Sequence, residues 1–360
     1  MTSELNPELL EVNILIKLTT PPTKIKKTKT IIKVPWVDKY RPLSLDEIVY
    51  QTEVVKMLKQ TLKQGSLPHL LFYGLPGTGK TSTILALARE LFGPKIFHDR
   101  VLELNASDER GIGVVRKLII GFAKKSVGNS DPRYPCPPYK MIVLDEADAM
   151  TMEAQSALRK VMESYSKITR FCFICNYINQ IISPITSRCV KFRFKPLNVP
   201  SMFCKLQDIS VKESVNITDK ALKEIITVSR GDMRRAIMLL QNLKYLMHFK
   251  DKIVCKNVCA MANIIPEKIL KQIWFDYIKK TVNACELKQI AELVTNLGYP
   301  ISNTLEQLFT ILINDKTIKN KKKANMVLLL SESEKKISEG SNEYLQLLRI
   351  FCHFHQEFRE

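Results

Sequence analysis

The sequence lacks three features that would place it among membrane, fibrous or disulfide-stapled proteins. Its longest apolar runs, such as residues 326–330, fall far short of the roughly 20 residues that a membrane-spanning helix needs. Twelve glycines and seventeen prolines are too few for collagen-like or low-complexity sequence. Nine cysteines, an odd number, cannot form a complete disulfide framework, and the N-terminus shows no charged-then-apolar signal region. We therefore expect a protein that does not cross a membrane and keeps buried thiols in a reducing compartment.

Acidic residues are scarce beside basic ones: 36 Asp and Glu stand against 55 Lys and Arg, and the net charge is +19. Nucleic acid is the first partner that such an excess indicates, because lysines and arginines that neutralise phosphates gain free energy by releasing counterions. A solubilising basic surface is the alternative. The charge therefore indicates a polyanion without identifying it.

Short apolar runs alternate with amphipathic helical stretches in the first half of the chain, which is the pattern of a parallel sheet covered by helices. After residue 195 the strand patterns stop and helical periodicity continues. The predicted strands are 70–73, 101–104, 141–144, 171–175 and 190–194. The predicted domains are a mobile basic arm at 1–33, an α/β domain at 34–195, and two helical domains at 196–258 and 259–360.

One glycine-rich loop directly follows the first predicted strand. Glycines let backbone N–H groups converge on a phosphate, and the start of the next helix adds positive dipole. We expect Lys80 to reach the β- and γ-phosphates of a nucleotide and the Thr81 hydroxyl to bind Mg²⁺. The loop reads Gly74-Leu75-Pro76-Gly77-Thr78-Gly79-Lys80-Thr81 and matches G-x-x-x-x-G-K-[ST].

An acidic stretch, Asp145-Glu146-Ala147-Asp148, ends the third predicted strand. A carboxylate at the carboxyl end of a buried parallel strand lies where open α/β sheets bind ligands. We expect Asp145 to be the Mg²⁺ partner and Glu146 to orient and deprotonate an attacking water. An acidic helix cap after a strand is the plain alternative. With the phosphate loop, the stretch predicts nucleotide hydrolysis.

The same four letters occur in RNA helicases of the DEAD-box kind, which carry a Ser-Ala-Thr element and a second motor domain. Here Asn176 follows the fourth predicted strand, and helices come after it. A polar residue at that point instead resembles the sensor of an AAA+ ATPase, placed to report the γ-phosphate. Capping of the strand end is the alternative role for Asn176.

Five stretches in a fixed order resemble the small subunits of replication factor C, the clamp loader of eukaryotes and archaea. The resemblance covers residues 34–246, and residues beyond it share only length and helical character. Within the family, the phosphate loop and residues 135–140 resemble one type of small subunit in particular. The stretches are Val34-Pro35-Trp36-Val37-Asp38-Lys39-Tyr40-Arg41-Pro42, Leu104-Asn105-Ala106-Ser107-Asp108-Glu109-Arg110-Gly111, Ile174-Cys175-Asn176-Tyr177, Ser187-Arg188-Cys189 and Gly231-Asp232-Met233-Arg234-Arg235.

The resemblance implies an AAA+ sheet flanked by helices, then a helical lid and an all-α collar for oligomerisation. It implies an ATP site in which Val37 and Val49 line the adenine pocket beside Arg41. Arg234 would contact the phosphates from the lid, and Arg188 would act in trans as an arginine finger for a neighbouring subunit. Core packing and surface ion pairs are the plain alternatives. The implied ATP contacts are Val37, Arg41, Val49, Gly74, Leu75, Pro76, Gly77, Thr78, Gly79, Lys80, Thr81, Ser82, Asn176 and Arg234.

For DNA, the resemblance implies that Arg110, Arg116 and Lys117 face duplex phosphates, with strong salt dependence and little sequence preference. Pairing of Arg110 with a nearby carboxylate is the alternative. Ile119 and Phe122, on the helix predicted next, are candidates for an apolar patch that contacts a clamp.

Two cysteine pairs do not predict a zinc site. Cys172 and Cys175 are three apart on a strand and therefore point to opposite faces. Cys255 and Cys259 share a helix face, but no second pair follows at a suitable spacing.

The function implied is that of an ATPase subunit in a heteropentameric clamp loader, which opens a sliding clamp and loads it on primer-template DNA. Nuclear location follows from the resemblance, with weak support from the basic residues 24–29. Two alternatives stay open. One is an ATP-binding scaffold that lends Arg188 to a neighbour without turnover. The other is a self-contained DNA-remodelling motor, which would need a winged helix near the C-terminus.

Overall fold

A computed structural model describes residues 34–48, 51–107, 112–128, 130–246, 252–278 and 283–359, without the side chains of 62–64, 112 and 114–116. The predicted basic arm at 1–33 lies outside the described residues. None of the described helices is both long and apolar enough to cross a membrane.

Five parallel strands form one sheet in the order β2-β3-β4-β1-β5. All five predicted strands are present within one or two residues, so the predicted α/β fold is confirmed. The strands are rich in Val, Ile, Leu and Phe because both faces of a parallel sheet are covered by helices. Their bounds are β1 His69–Gly74, β2 Val101–Asn105, β3 Lys140–Asp145, β4 Thr169–Cys175 and β5 Cys189–Phe194.

Alternate residues of each strand pack into two different cores. Cys172 and Ile174 join the core on the side of α2 and α3, whereas Phe173 and Cys175 join the core on the side of α4, α5 and α6. The two cysteines of β4 are therefore separated by the sheet. The helices are α1 Trp36–Lys39, α2 Thr52–Gln64, α3 Lys80–Arg100, α4 Ile112–Lys124, α5 Met152–Tyr165 and α6 Ser183–Thr186.

Helix α4 corrects one expectation. Ile119 is fully buried in the core beneath the sheet, so it cannot belong to an exposed clamp-binding patch. Phe122 is half-buried, with the ammonium of the buried Lys140 at 5.0 Å from its ring centroid. Among the α4 side chains that the structure describes, the exposed large apolar one is Leu118. The helix is apolar on more than one face, and sequence periodicity alone did not separate the faces.

In the part of the chain that the structure describes, nine more helices follow the sheet. Four of them surround a core that includes Trp36 from α1, and the rest pack around Trp274, Phe351 and Phe354. The predicted domain boundaries stay a prediction. The helices are α7 Val199–Lys212, α8 Asp219–Ser229, α9 Met233–Leu246, α10 Cys255–Ala262, α11 Glu267–Gln272, α12 Ala284–Asn296, α13 Ile301–Asn314, α14 Asn320–Ser338 and α15 Glu343–Arg359, with a π-helical turn at Ile273–Ile278.

Glu213, at the end of α7, ties the start of the described chain to this helical region. Its carboxylate accepts hydrogen bonds from Lys39 Nζ at 2.5 Å, Tyr40 Oη at 2.8 Å and Lys244 Nζ at 3.2 Å. Burial alone would raise the pKa of Glu213, but these hydrogen bonds outweigh it and lower the pKa to about 2. Trp36 adds a hydrogen bond from its backbone N–H to Gln241 Oε1 at 3.0 Å.

Glu213→Gln should lower the thermal unfolding midpoint at pH 7 by about 2–4 °C, because a neutral amide holds the two ammonium groups less well. Since the folded-state pKa lies below the ordinary value of 4.5, the stabilisation is complete above that pH and is lost as the pH falls towards 2. The difference between the variant and the wild type should therefore shrink in calorimetry between pH 5 and pH 3. The matched control is Glu53→Gln, whose carboxylate lies 3.9 Å from Lys195 in an exposed pair. A variant as stable as this control would contradict the role of Glu213.

Candidate functional site

The phosphate loop joins β1 to α3 at the carboxyl edge of the sheet. Gly77 and Gly79 have φ angles of 67° and 91°, which favour glycine. Gly77 also lies against the start of α9, because a Cβ there would lie 1.7 Å from Asp232 Oδ1. The backbone N–H of Met233 donates to the Gly77 carbonyl at 3.3 Å. Absence of a side chain at Gly77 therefore lets the helical region reach the loop.

Lys80 is buried at the first position of α3, with 8% of its surface exposed. Its ammonium donates to the carbonyls of Gly74 at 2.8 Å and Leu75 at 2.9 Å, and to Asn176 Oδ1 at 3.0 Å. Burial lowers the pKa of Lys80, while the negative charge of Asp145 opposes that effect. Because β4 lies beside β1, the structure brings Lys80 and Asn176 together.

The Thr81 hydroxyl donates to Asp145 Oδ2 at 2.7 Å, and the backbone N–H of Glu146 donates to Asp145 Oδ1 at 2.9 Å. A hydroxyl and a carboxylate oxygen are ligands that Mg²⁺ accepts when phosphates and water complete its shell. The pair therefore fits Mg²⁺. Glu146 is exposed beside it, in a left-handed conformation with φ of 52°. Among the described residues, no group of three or more His, Cys, Asp or Glu is arranged to hold a metal ion.

Asp148 and Gln155 position the sensor segment, and sequence reasoning missed both roles. Asp148 Oδ2 accepts the backbone N–H groups of Asn176 and Tyr177 at 3.0 and 3.1 Å. Gln155 is 1% exposed; its Nε2 donates to the Gln180 carbonyl at 3.0 Å, and its Oε1 accepts from Ile182 N–H at 2.8 Å. These contacts hold the acidic stretch and the sensor in one rigid unit. An acid three residues after Asp145 was visible in the sequence, but its partners were not.

A pocket opens between the phosphate loop, the residues around α1, and α9. The predicted Val37, Arg41 and Arg234 all line it, and Arg41 Nε donates to Ser82 Oγ at 3.3 Å. Val49 lies outside the described residues. Sequence reasoning assigned no role to a group of further lining side chains, of which Tyr40 and Met233 stand inside stretches that resemble the family and the others in no motif. They are Tyr40, Ile48, Leu197, Met233 and Ile237.

Arg188 lies at the opposite edge of the sheet from the phosphate loop. It directly precedes β5, whose first residue, Cys189, pairs with His69 at the start of β1. Gly74 ends β1 five residues further on, so the two edges are separated by about 16 Å. The structure therefore does not bring Arg188 to the phosphate loop of its own chain.

The predicted DNA contacts of Arg110, Arg116 and Lys117 stay a prediction. Arg110 lies outside the described residues, and the side chain of Arg116 is not described. Lys117 is exposed on α4.

The strand order, the phosphate loop, the acidic strand end, the polar residue on the adjacent strand and the helices that follow define an AAA+ ATPase. Family models agree. The ATPase family associated with various cellular activities (AAA) matches residues 70–197, the RCF1/5-like AAA+ ATPase lid domain matches 205–244, and the replication factor C C-terminal domain matches 265–353.

Curated relatives identify the family within the AAA+ ATPases. The chain is 45% identical to replication factor C subunit 2 of Schizosaccharomyces pombe, over 90% of this chain and 95% of the relative. It is 46% identical to replication factor C subunit 4 of Homo sapiens, over 90% of this chain and 88% of the relative. The chain belongs to the family of replication factor C small subunits. The predicted family is therefore confirmed, and these relatives are of the type called subunit 4 in Homo sapiens and subunit 2 in Schizosaccharomyces pombe.

Solved structures show the same fold at lower identity. The Thermotoga maritima RuvB Holliday junction branch migration motor has a TM-score of 0.50 and 22% identity, covering 72% of this chain and 86% of that chain. Likeness at this level concerns the fold alone.

Gly77→Ala should weaken binding of a fluorescent ATP analogue by about tenfold or more, because the new Cβ would collide with Asp232 and push α9 away from the pocket. Combining it with Asp232→Ala should restore part of the affinity by removing that collision. Gly121→Ala is the control, since no atom lies within 4 Å of a Cβ there. If the double variant binds no better than Gly77→Ala, the collision is not the cause.

Proposed function

We propose that this chain is an ATPase subunit of a heteropentameric clamp loader that, with ATP bound, opens a sliding clamp and places it on primer-template DNA. The observation that carries the proposal is the position of two parts of one catalytic apparatus at opposite edges of the sheet. The phosphate loop with its acidic residues lies at one edge, and Arg188 lies at the other. A chain built in this way completes its neighbour's site and needs a neighbour to complete its own.

ATP supplies the phosphoanhydride bond whose cleavage changes the subunit's contacts, and Mg²⁺, when bound, would neutralise charge on the phosphates. On this chain, the amides of the phosphate loop and the Lys80 ammonium bind the phosphates, and Thr81 and Asp145 would hold the metal ion. Glu146 accepts a proton from the attacking water. Asn176 stabilises the γ-phosphate from β4, and Arg234 does so from α9. In trans, Arg188 stabilises the charge that develops at the neighbour's phosphate.

Contacts from α9 couple ATP binding to the arrangement of the helical region. Because Arg234 and Met233 line the same pocket as Gly77 and Thr78 of the phosphate loop, ATP joins the helical region to the sheet. Loss of the γ-phosphate removes contacts made by Lys80 and Asn176. The ATP-bound arrangement, in which the subunits grip clamp and DNA, is then no longer favoured over the open one. Hydrolysis thereby releases clamp and DNA.

The partners are sister subunits, a sliding clamp and primer-template DNA, and the site of action is the nucleus. The relatives' names describe subunits of one factor, which supports the sister subunits. The net charge of +19 supports DNA. Arg110, Arg116 and Lys117 contact the duplex backbone without reading bases.

The self-contained motor has one observation in its favour, the fold likeness to a branch migration motor. A winged helix would place a strand hairpin near the C-terminus. In the described residues 265–278 and 283–359, every regular secondary-structure element is a helix. The helical C-terminal region therefore favours packing among sister subunits.

Steady-state ATPase activity tests the proposal, with the chain alone and within the complex assembled with its sister subunits, each with and without clamp and primed DNA. Turnover should be negligible for the lone chain and rise in the complex. Glu146→Gln should then lower the rate without loss of ATP binding, because the amide cannot accept the water proton.

Two outcomes would contradict the proposal. Equal hydrolysis by complexes with and without Glu146→Gln would favour the scaffold that binds ATP without turnover. Brisk DNA-stimulated turnover by the lone chain would favour the independent motor.

Lys117→Ala in the complex should weaken binding to primed DNA of any sequence and reduce the slope of log affinity against log salt by about one unit. Fluorescence anisotropy at several salt concentrations measures both. Lys288→Ala, an exposed lysine on α12, is the control. An unchanged slope for Lys117→Ala would show that this residue does not contact the DNA phosphates.

A further inference from the structure

The Arg188 guanidinium is already held by its own chain. Its Nη2 lies 2.7 Å from Glu163 Oε1 on α5, and its Nη1 donates to the Pro184 carbonyl at 2.7 Å. Glu163 Oε1 also accepts a hydrogen bond from Arg159 Nε at 3.1 Å. One carboxylate oxygen therefore lies between two guanidinium groups.

These contacts orient Arg188 and still leave it accessible. Of the five N–H donors of the guanidinium, one makes the hydrogen bond to Pro184, and the ion pair with Glu163 leaves others available for an incoming phosphate. The Arg188 side chain is 38% exposed, so a phosphate of another subunit has a route to it. A long exposed arginine otherwise samples many rotamers, and binding a phosphate would have to select one of them. Holding the guanidinium plane in advance reduces that entropic cost.

The negative charge of Glu163 compensates the positive charges of two neighbouring arginines. Arg159 and Arg188 approach the same oxygen, and their positive charges are compensated there by this carboxylate. Removing the carboxylate leaves two neighbouring guanidinium groups that repel each other. The Arg188 guanidinium ends a long, partly exposed side chain. Without the carboxylate it is free to turn away, and the hydrogen bond to the Pro184 carbonyl is the contact that it can keep.

We propose that Glu163 is a positioning residue for catalysis at the neighbouring subunit's ATP site, acting through Arg188. The inference rests on the proposed function, because it requires Arg188 to act in trans. Glu163 touches neither nucleotide nor water in this role. It sets the direction in which the finger approaches the phosphate, so its loss lowers the rate of cleavage at the neighbour's site and leaves ATP binding at its own site unchanged.

The test uses the assembled complex with one active site. Every subunit except the neighbour that receives Arg188 carries a glutamine in place of its catalytic glutamate, including Glu146→Gln in this chain, so ATP stays bound elsewhere without turnover. Single-turnover hydrolysis is then measured for Glu163→Ala, Arg188→Ala and the double variant. Glu153→Ala, exposed in the first turn of the same helix, is the matched control.

We expect Glu163→Ala to slow hydrolysis by about 3- to 30-fold and Arg188→Ala by about 100-fold or more. The double variant should be as slow as Arg188→Ala alone, because Glu163 has no effect once the finger is gone. Glu163→Gln keeps an acceptor oxygen and should lie between Glu163→Ala and the wild type. Affinity of the lone chain for an ATP analogue should be unchanged in every variant.

A wild-type rate for Glu163→Ala, with a slow Arg188→Ala, would overturn the positioning role and leave the proposed function intact. A double variant slower than Arg188→Ala would show that Glu163 acts through general stability, which also overturns it. A wild-type rate for Arg188→Ala would show that Arg188 does not act as an arginine finger, and it would overturn this inference as well.

Discussion

The position of β1 between β4 and β5 is the constraint on which the other features of the site depend. In sequence β1 is far from both β4 and β5, and the parallel pairing places the carboxyl ends of all three at one edge. Lys80 thereby meets Asn176, and Thr81 reaches Asp145 at the end of β3, which pairs with β4 on its other side. The same pairing places the amino end of β5, and Arg188 before it, at the other edge. One arrangement of strands thus places the phosphate loop and Arg188 at opposite edges of the sheet.

A second constraint links the pocket to the helical region. Residues of α1 precede the sheet in sequence but pack in the core around α7, α8 and α9, where Trp36 is buried and Glu213 accepts three side-chain donors. Because Val37 and Arg41 line the pocket from this segment, and Arg41 also donates to Ser82 on α3, this wall of the pocket is held both by the helical core and by the helix that follows the phosphate loop. The direct approach of Asp232 to Gly77 makes the same connection on the phosphate side.

The parts of the site that sequence reasoning predicted are those with a local signature. The phosphate loop and the acidic strand end combine a fixed spacing with a strand, and the strands themselves were short apolar runs with clear ends. Asp148, Gln155 and the pairing of Glu163 with Arg188 depend on contacts between segments that fold together only through the sheet, so no spacing marks them. Ile119 was misassigned because α4 is apolar on two sides, and only the packed structure shows which side faces the core.

Stability does not account for the contact between Glu163 and Arg188. Both side chains are more than one third exposed, and exposed ion pairs contribute little to folding because water and salt screen them. What the pair does fix is geometry, since a guanidinium bound on two sides has one orientation where a free one has many. An arginine whose target belongs to another molecule gains from such an arrangement before that molecule arrives. The role proposed for Arg188 in trans therefore accounts for this ion pair better than folding stability does.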